Sequence, residues 1–366
     1  MWDRMRFSQV VLAAAMMVSC LAGWQATAFA GSDNSNNAWA GDVGLLALPP
    51  GTVVATEYIG YRHSDEYVTS SNNFFSKLNA LSGTGFGNKI PSTVDLYTSV
   101  TRFSYITRLW DRPLAFSAAA VFAKADNFNV GNFPVPTGLG GAFGPQTIGS
   151  SFADPSVFIS YGLIVDPRRE RFLSVSNYFY FPAGNYNKFK AINYSTAGQY
   201  TWVPQVGYAE GLAKFGLKGF WLDVIANMSV HTDGNSPLAL AVSAFPFPAG
   251  AQFDKLTQGN SYDIKAFLRY NFLPGGHVAI GIERSWGGEQ IASGGILGGA
   301  AGPTSLGMED FVKGHIQASM PLTRDFFVAA DITHDFERSG GFREDFTAEI
   351  RFTKLFTPQP HPQPLK

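Results

Sequence analysis

Side chains able to do chemistry recur in this sequence at alternate positions of otherwise apolar runs. They are Asp223, Asn227 and His231, then Asp263, Lys265 and Arg269, then Glu283, then Lys313, His315 and Gln317, then Asp331, Glu349 and Arg351. Trp221 and Phe267 share their phase. Carboxylate, ammonium, guanidinium and imidazole groups on one face can neutralise one another as a hydrated wall, because charges withdrawn from water must pair. They can also line a path that a solute meets, with the aromatic members suiting an apolar or aromatic one. Residue types and spacing leave both readings open.

Covalent chemistry is not selected by any pattern. The six His residues show no H-E-x-x-H or other metal spacing. The stretches GTGFGN (83–88), GLGGAFG (138–144) and GGILGGAAG (294–302) lack the Gly-Lys-Ser/Thr ending of a phosphate loop and read as flexible connections. Ser285, in ERSWGG, lacks the flanking glycine of a nucleophile elbow. No catalytic residue, cofactor or metal is assigned.

The elements that must hold the polar positions are strands, since a strand sends successive side chains to opposite faces. In Tyr262–Phe272 one face reads Tyr, Ile, Ala, Leu, Tyr, Phe and the other Asp, Lys, Phe, Arg, Asn. The run matches the ~9–11 residues with which a tilted strand crosses a bilayer. Phe220–His231, Val312–Met320, Phe326–Ile332 and Phe346–Phe356 repeat the pattern. Weaker copies are Val53–Arg62, Asp95–Ile106, Leu114–Ala125, Ser156–Ile164, Phe172–Phe181, Tyr200–Ala209 and Val278–Trp286. The expected fold is all-β: a monomeric, transmembrane, antiparallel up-and-down barrel of about 12 strands (range ~10–14).

Composition agrees. Charged residues are 15% and aromatics 14%, with 32 Phe among 366 residues, which suits a surface facing lipid. Mean hydropathy is nevertheless zero, because lipid-facing and lumen-facing positions cancel in a barrel. The balanced charge offers nothing to nucleic acid. Arg4, Arg6, the apolar stretch Val10–Ala22 and Ala28-Phe29-Ala30 form a secretory signal over 1–30. Cys20 would instead be a lipid anchor in a lipoprotein reading, and it is the sole cysteine. Residues 31–50 read as a periplasmic leader, 51–356 as the barrel and 357–366 as a Pro-rich periplasmic tail.

Connections alternate in length. Thr107–Pro113 and the segments VDPRRER, EGLAKFGLK, LPGG and PLTRD are short; 64–93, 126–153, 182–199, 232–260 and 287–310 are long. Outer-membrane barrels have short periplasmic turns and longer extracellular loops, so both termini are expected in the periplasm of a Gram-negative cell. The long loop 232–260 is unusually apolar, and its Phe245, Phe247 and Phe253 are candidates for solute capture.

The runs FADPSVFISYGLIVDPRRERFLSVSNYFYFPAGNY, WVPQVGYAEGL, SYDIKAFLRYNFLPGGHVAIGIERSWGGEQ and GGFREDFTAEIRFTKLF, in this order, resemble the outer-membrane family labelled "putative MetA-pathway of phenol degradation". LPPGTVVATEYIGYRH resembles its opening strand, and the resemblance spans about residues 48–356. The Pro-rich tail departs from the terminal aromatic of the usual assembly signal. The resemblance implies passive uptake of small hydrophobic or aromatic compounds, with outer-membrane lipid and the barrel-assembly machinery as partners. It supplies no functional residues. The alternatives are a lipid- or ester-hydrolysing enzyme and a structural or adhesion barrel acting through its loops.

Overall fold

The computed structural model describes residues 38–68, 89–130, 146–184, 198–235, 255–294 and 303–358. Phe245, Phe247 and Phe253, the signal segment and most of the tail lie outside these residues.

Twelve antiparallel strands build one closed wall. They are β1 (Val53–Val68), β2 (Lys89–Leu109), β3 (Arg112–Val130), β4 (Ser156–Asp166), β5 (Arg171–Tyr180) and β6 (Thr201–Gly211). They continue as β7 (Phe220–His231), β8 (Ser261–Leu273), β9 (Gly276–Gly287), β10 (Asp310–Thr323), β11 (Phe326–Ser339) and β12 (Phe346–Phe356). Each strand pairs with its chain neighbours, and β1 also pairs with β12, so Tyr58 stands opposite both Val100 and Arg351. Closure leaves the wall no unpaired edge, which is what permits a sheet to sit in hydrocarbon.

The period-two pattern becomes two surfaces. In β10, Phe311, Lys313, His315, Gln317 and Ser319 are buried inside, while Ile316 is 65% and Met320 52% exposed on the outside. Ile280 (62%), Ile282 (52%), Ile332 (48%) and Ile350 (44%) extend that outer apolar belt. Glu57 departs from it: its carboxylate oxygens accept hydrogen bonds from Ser99 and Thr101 of β2, each at 2.6 Å. Among the described residues, no helix is long and apolar enough to cross a membrane.

Loop lengths segregate by end, apart from the brief connection between β11 and β12 at the long-loop end. At one end, β2 and β3 are joined through Trp110 and Asp111, both at positive φ (50° and 60°). That is the twist a two-residue hairpin demands. At the other end, several strands outrun the apolar pattern: β1 reaches Val68, β2 begins at Lys89, β3 reaches Val130 and β11 reaches Ser339. Ladder hydrogen bonds need only backbone, so pairing continues past the lipid-facing segment where alternation stops.

The long connections also carry structure of their own. Gly234–Asn235, Lys255–Gln258, Gln290–Ser293 and Thr304–Gly307 form a small separate sheet. Gln146–Phe152 pairs with β3, and Gly341–Arg343 pairs with β1.

The described part of the segment read as a periplasmic leader lies inside the barrel. Residues 38–48 run within the lumen, where Trp39 is 3% and Ala40 0% exposed. The reason is physical: Val43, Leu46 and Leu48 are apolar and find partners on the inner wall, and the backbone amides of Ala40 and Gly41 find acceptors on Gln317 and Asp223 of the wall.

Candidate functional site: the occluded lumen

The inserted segment is a compact plug. Gly41 adopts φ 87° and turns the chain into a short 3-10 helix, Asp42–Ala47. A residue bearing a Cβ is strained there. Asp42 braces the turn that precedes the helix through its Oδ2, which accepts from the Trp39 amide at 3.0 Å. Leu46 packs with Val54, Ile106 and Ala115, with Leu48 and Leu355 beside them, at the short-turn end. Deeper in, Ala38, Ala40 and Val43 pack on Phe172, Ala209, Ile225, Phe267 and Ala279, with Trp221 alongside. Gly207 of β6 makes room for this docking: a Cβ there would stand 2.9 Å from a Val43 methyl.

Polar wall residues hold the plug by specific hydrogen bonds. Trp39 Nε1 donates to Glu349 Oε1 at 3.1 Å, the Ala40 amide to Gln317 Oε1 at 3.0 Å, and the Gly41 amide to Asp223 Oδ2 at 3.1 Å. Arg351 donates to Asp42 Oδ1 at 2.6 Å, and its guanidinium lies 4.6 Å from the Trp39 ring centre.

The remaining charges of β7–β12 neutralise one another. Arg269 grips Asp223 through Nε and Nη2 at 2.7 and 3.2 Å, and its guanidinium lies 4.8 Å from the Trp221 ring centre. Lys265 approaches Glu283 at 3.3 Å, and Asn227 donates to Asp263 at 3.0 Å. His315 lies between two acids, Nδ1 at 3.0 Å from Asp331 and Nε2 at 2.9 Å from Glu283. An imidazolium, with a proton on each nitrogen, satisfies both. Gln317 also donates to Asp331 at 3.0 Å. Nearer the long loops, Lys313 meets Glu344 at 3.0 Å, and His231 meets Thr201 at 2.9 Å.

The polar residues singled out by phase thus come together inside the barrel, but around the plug and one another. Phe267 and Trp221 pack against the plug rather than lining an open path. Among the described residues, no group of three or more His, Cys, Asp and Glu side chains is placed to hold a metal ion.

A second polar surface escaped the sequence reading. On β2–β6 the inner face carries Ser104, Ser117, Ser160, Ser174, Ser176 and Gln205, with Arg102, Phe158 and Tyr178. Ser104 and Ser117 are bonded at 2.7 Å, as are Ser160 and Ser176. Between this wall and Val43, Leu45 and Leu46 of the plug lies a cavity of ≈ 80 Å³, measured as space open to the centres of water molecules. The signal was present in the sequence: Arg102 and Ser104 alternate with Phe103 and Tyr105, and Ser174 and Ser176 are two apart. Serine weighs little in a hydrophobicity pattern, so the face looked apolar on both sides.

A closed antiparallel barrel with an apolar exterior, a polar interior and loops segregated by length is the architecture of bacterial outer-membrane channels and their relatives. Residues 79–343 match the family described as "Putative MetA-pathway of phenol degradation", and the chain belongs to that family. Its fold is similar to the COG4313 outer membrane channel from Pseudomonas putida F1, with TM-score 0.64 and 17% identity over 87% of this chain and 100% of that one. A looser likeness joins it to the Pseudomonas putida toluene transporter TodX, with TM-score 0.43 and 9% identity over 90% and 94% of the two chains. No curated protein matches the chain.

Proposed function

We propose that the protein is a passive outer-membrane channel for small hydrophobic or aromatic compounds, and that residues 38–48 restrict its lumen. The observation that carries this reading is the cavity between plug and serine wall, of a size for a small solute and inside a barrel whose exterior suits lipid. Membership of a family described by phenol degradation supports the solute class. A twelve-stranded barrel is narrower than the sixteen-stranded porins that leave an aqueous channel, which fits selective rather than general passage. In this reading the short turns and both termini face the periplasm, the signal over 1–30 directs export, and lipid and the assembly machinery are the cellular partners.

The hydrolytic alternative is less favoured by the lumen's imidazoles: His315 has both nitrogens at hydrogen-bonding distance of acids, and His231, which meets the Thr201 hydroxyl at 2.9 Å, has no acid on its other nitrogen to orient it. The test is uptake by proteoliposomes containing the full mature chain. A panel of single-ring aromatics should enter faster than sugars of similar mass. Entry rates equal to those of protein-free liposomes across the panel would overturn the proposal.

A further inference from the structure

Arg102 stands apart from the other lumen cations. Its guanidinium lies 5.2 Å from the Tyr58 ring centre and 5.6 Å from that of Phe158. Its Nε is buried and makes no hydrogen bond. Among the described residues it takes part in no ion pair, whereas Arg269, Arg351, Lys265 and Lys313 each have an acid within 3.3 Å. Asp42 lines the same cavity and its charge favours the Arg102 cation, but its oxygens bond Arg351 and the Trp39 amide rather than Arg102. A guanidinium stays charged under all conditions a protein meets. Leaving it unpaired inside a membrane barrel is costly, and such residues mark ligand paths.

Its surroundings say what would complete it. The cavity beside Arg102 holds ≈ 80 Å³ for water centres, against the ~10–15 Å³ that one water needs. That is room for a few waters or for one six-membered ring. Phe158 and Tyr178, stacked with centroids 4.5 Å apart, give the wall an aromatic side, and Val43 and Leu46 give the plug an apolar one. Ser104 and Ser176 add hydroxyls on the same wall. A fork of guanidinium N–H groups fits a carboxylate bidentately.

We propose that this cavity is a binding site for a single-ring aromatic carboxylate, with the carboxylate on Arg102 and the ring between the aromatic wall and the plug. The proposal rests on the channel reading and narrows it: the favoured solute is an aromatic acid rather than a neutral hydrocarbon.

The test compares wild type with Arg102→Gln and Arg102→Lys, each first shown to be a folded barrel by heat-modifiable migration on gels. Benzoate, benzyl alcohol and acetate are titrated against the detergent-solubilised full chain by calorimetry, and their uptake is followed in proteoliposomes. Expected are benzoate binding ahead of benzyl alcohol and acetate, a ten- to hundredfold loss of benzoate affinity in Arg102→Gln as a charge-assisted bond is removed, partial retention in Arg102→Lys, and a much smaller loss for benzyl alcohol than for benzoate. Benzoate binding unchanged in Arg102→Gln, a parallel loss for benzyl alcohol, or acetate binding as tightly as benzoate would each overturn the site. Arg102-dependent benzoate binding without any uptake would uphold the site and overturn the channel reading.

Discussion

From β7 to β12 the inner wall carries acids and cations that answer one another, whereas from β2 to β6 it carries serines around the Arg102 guanidinium. The first sector has little room: its charges meet at hydrogen-bonding distance, and what they leave over is taken by the plug. The second sector has short side chains and keeps a cavity. The difference shows how one barrel can be both rigid and permissive. Long charged side chains fill a lumen and lock a segment in place. Serines, with small volume and a hydroxyl that pairs with its neighbour, leave space while staying satisfied. The plug therefore leans on one side of the barrel and shapes a site against the other.

Three substitutions sharpen or break this contrast. The largest effect is expected from Asp223→Ala. It strands Arg269 and removes the acceptor of the Gly41 amide, and breaking a buried pair costs about 3–5 kcal/mol. Urea unfolding in micelles, followed by tryptophan fluorescence, should show the drop; a loss below ~1 kcal/mol would mean that the charged sector is not what holds the interior.

Next comes Gly207→Leu, which drives a side chain into the place of Val43. Overpacking of this kind costs about 1–3 kcal/mol, and here the cost falls on the docked plug rather than on the wall. Liposome swelling should speed up several-fold while the barrel's gel migration is unchanged. Identical swelling rates would show that residues 38–48 do not limit passage.

The smallest effect on stability is expected from Arg102→Gln. This side chain has ring contacts but, among the described residues, no ion pair, and such contacts contribute about 0.5–2 kcal/mol. A destabilisation matching that of Asp223→Ala would erase the distinction between the two sectors.

Much of the wall was legible without coordinates. Strands such as Tyr262–Phe272 declare themselves because the side-chain period of a strand is two, and a membrane makes one of the two faces uniformly apolar. The phase of Asp223, Lys265, Arg269, His315 and Asp331 followed from the same rule, and all of them are buried inside. Alternating loop lengths were equally plain, since they are counted directly. The serine face of β2–β6 was half legible. Its period is present, but polarity that weak does not separate inside from outside.

The leader shows where sequence stops. Asp42-Val43-Gly44-Leu45-Leu46 carries no signal that distinguishes a segment tucked into a lumen from one lying beside a membrane. The apolar cluster around Val43 joins it to Phe172, Ile225 and Phe267, residues far along the chain. Local alternation of side chains, with the length needed to cross a bilayer, determined that this chain forms a barrel and which way its strands face. Only closure of that barrel decided which acids meet which cations, that the plug has a place to dock, and that Arg102 is left facing a cavity. Those outcomes depend on pairing across strands distant in sequence, which no local pattern encodes.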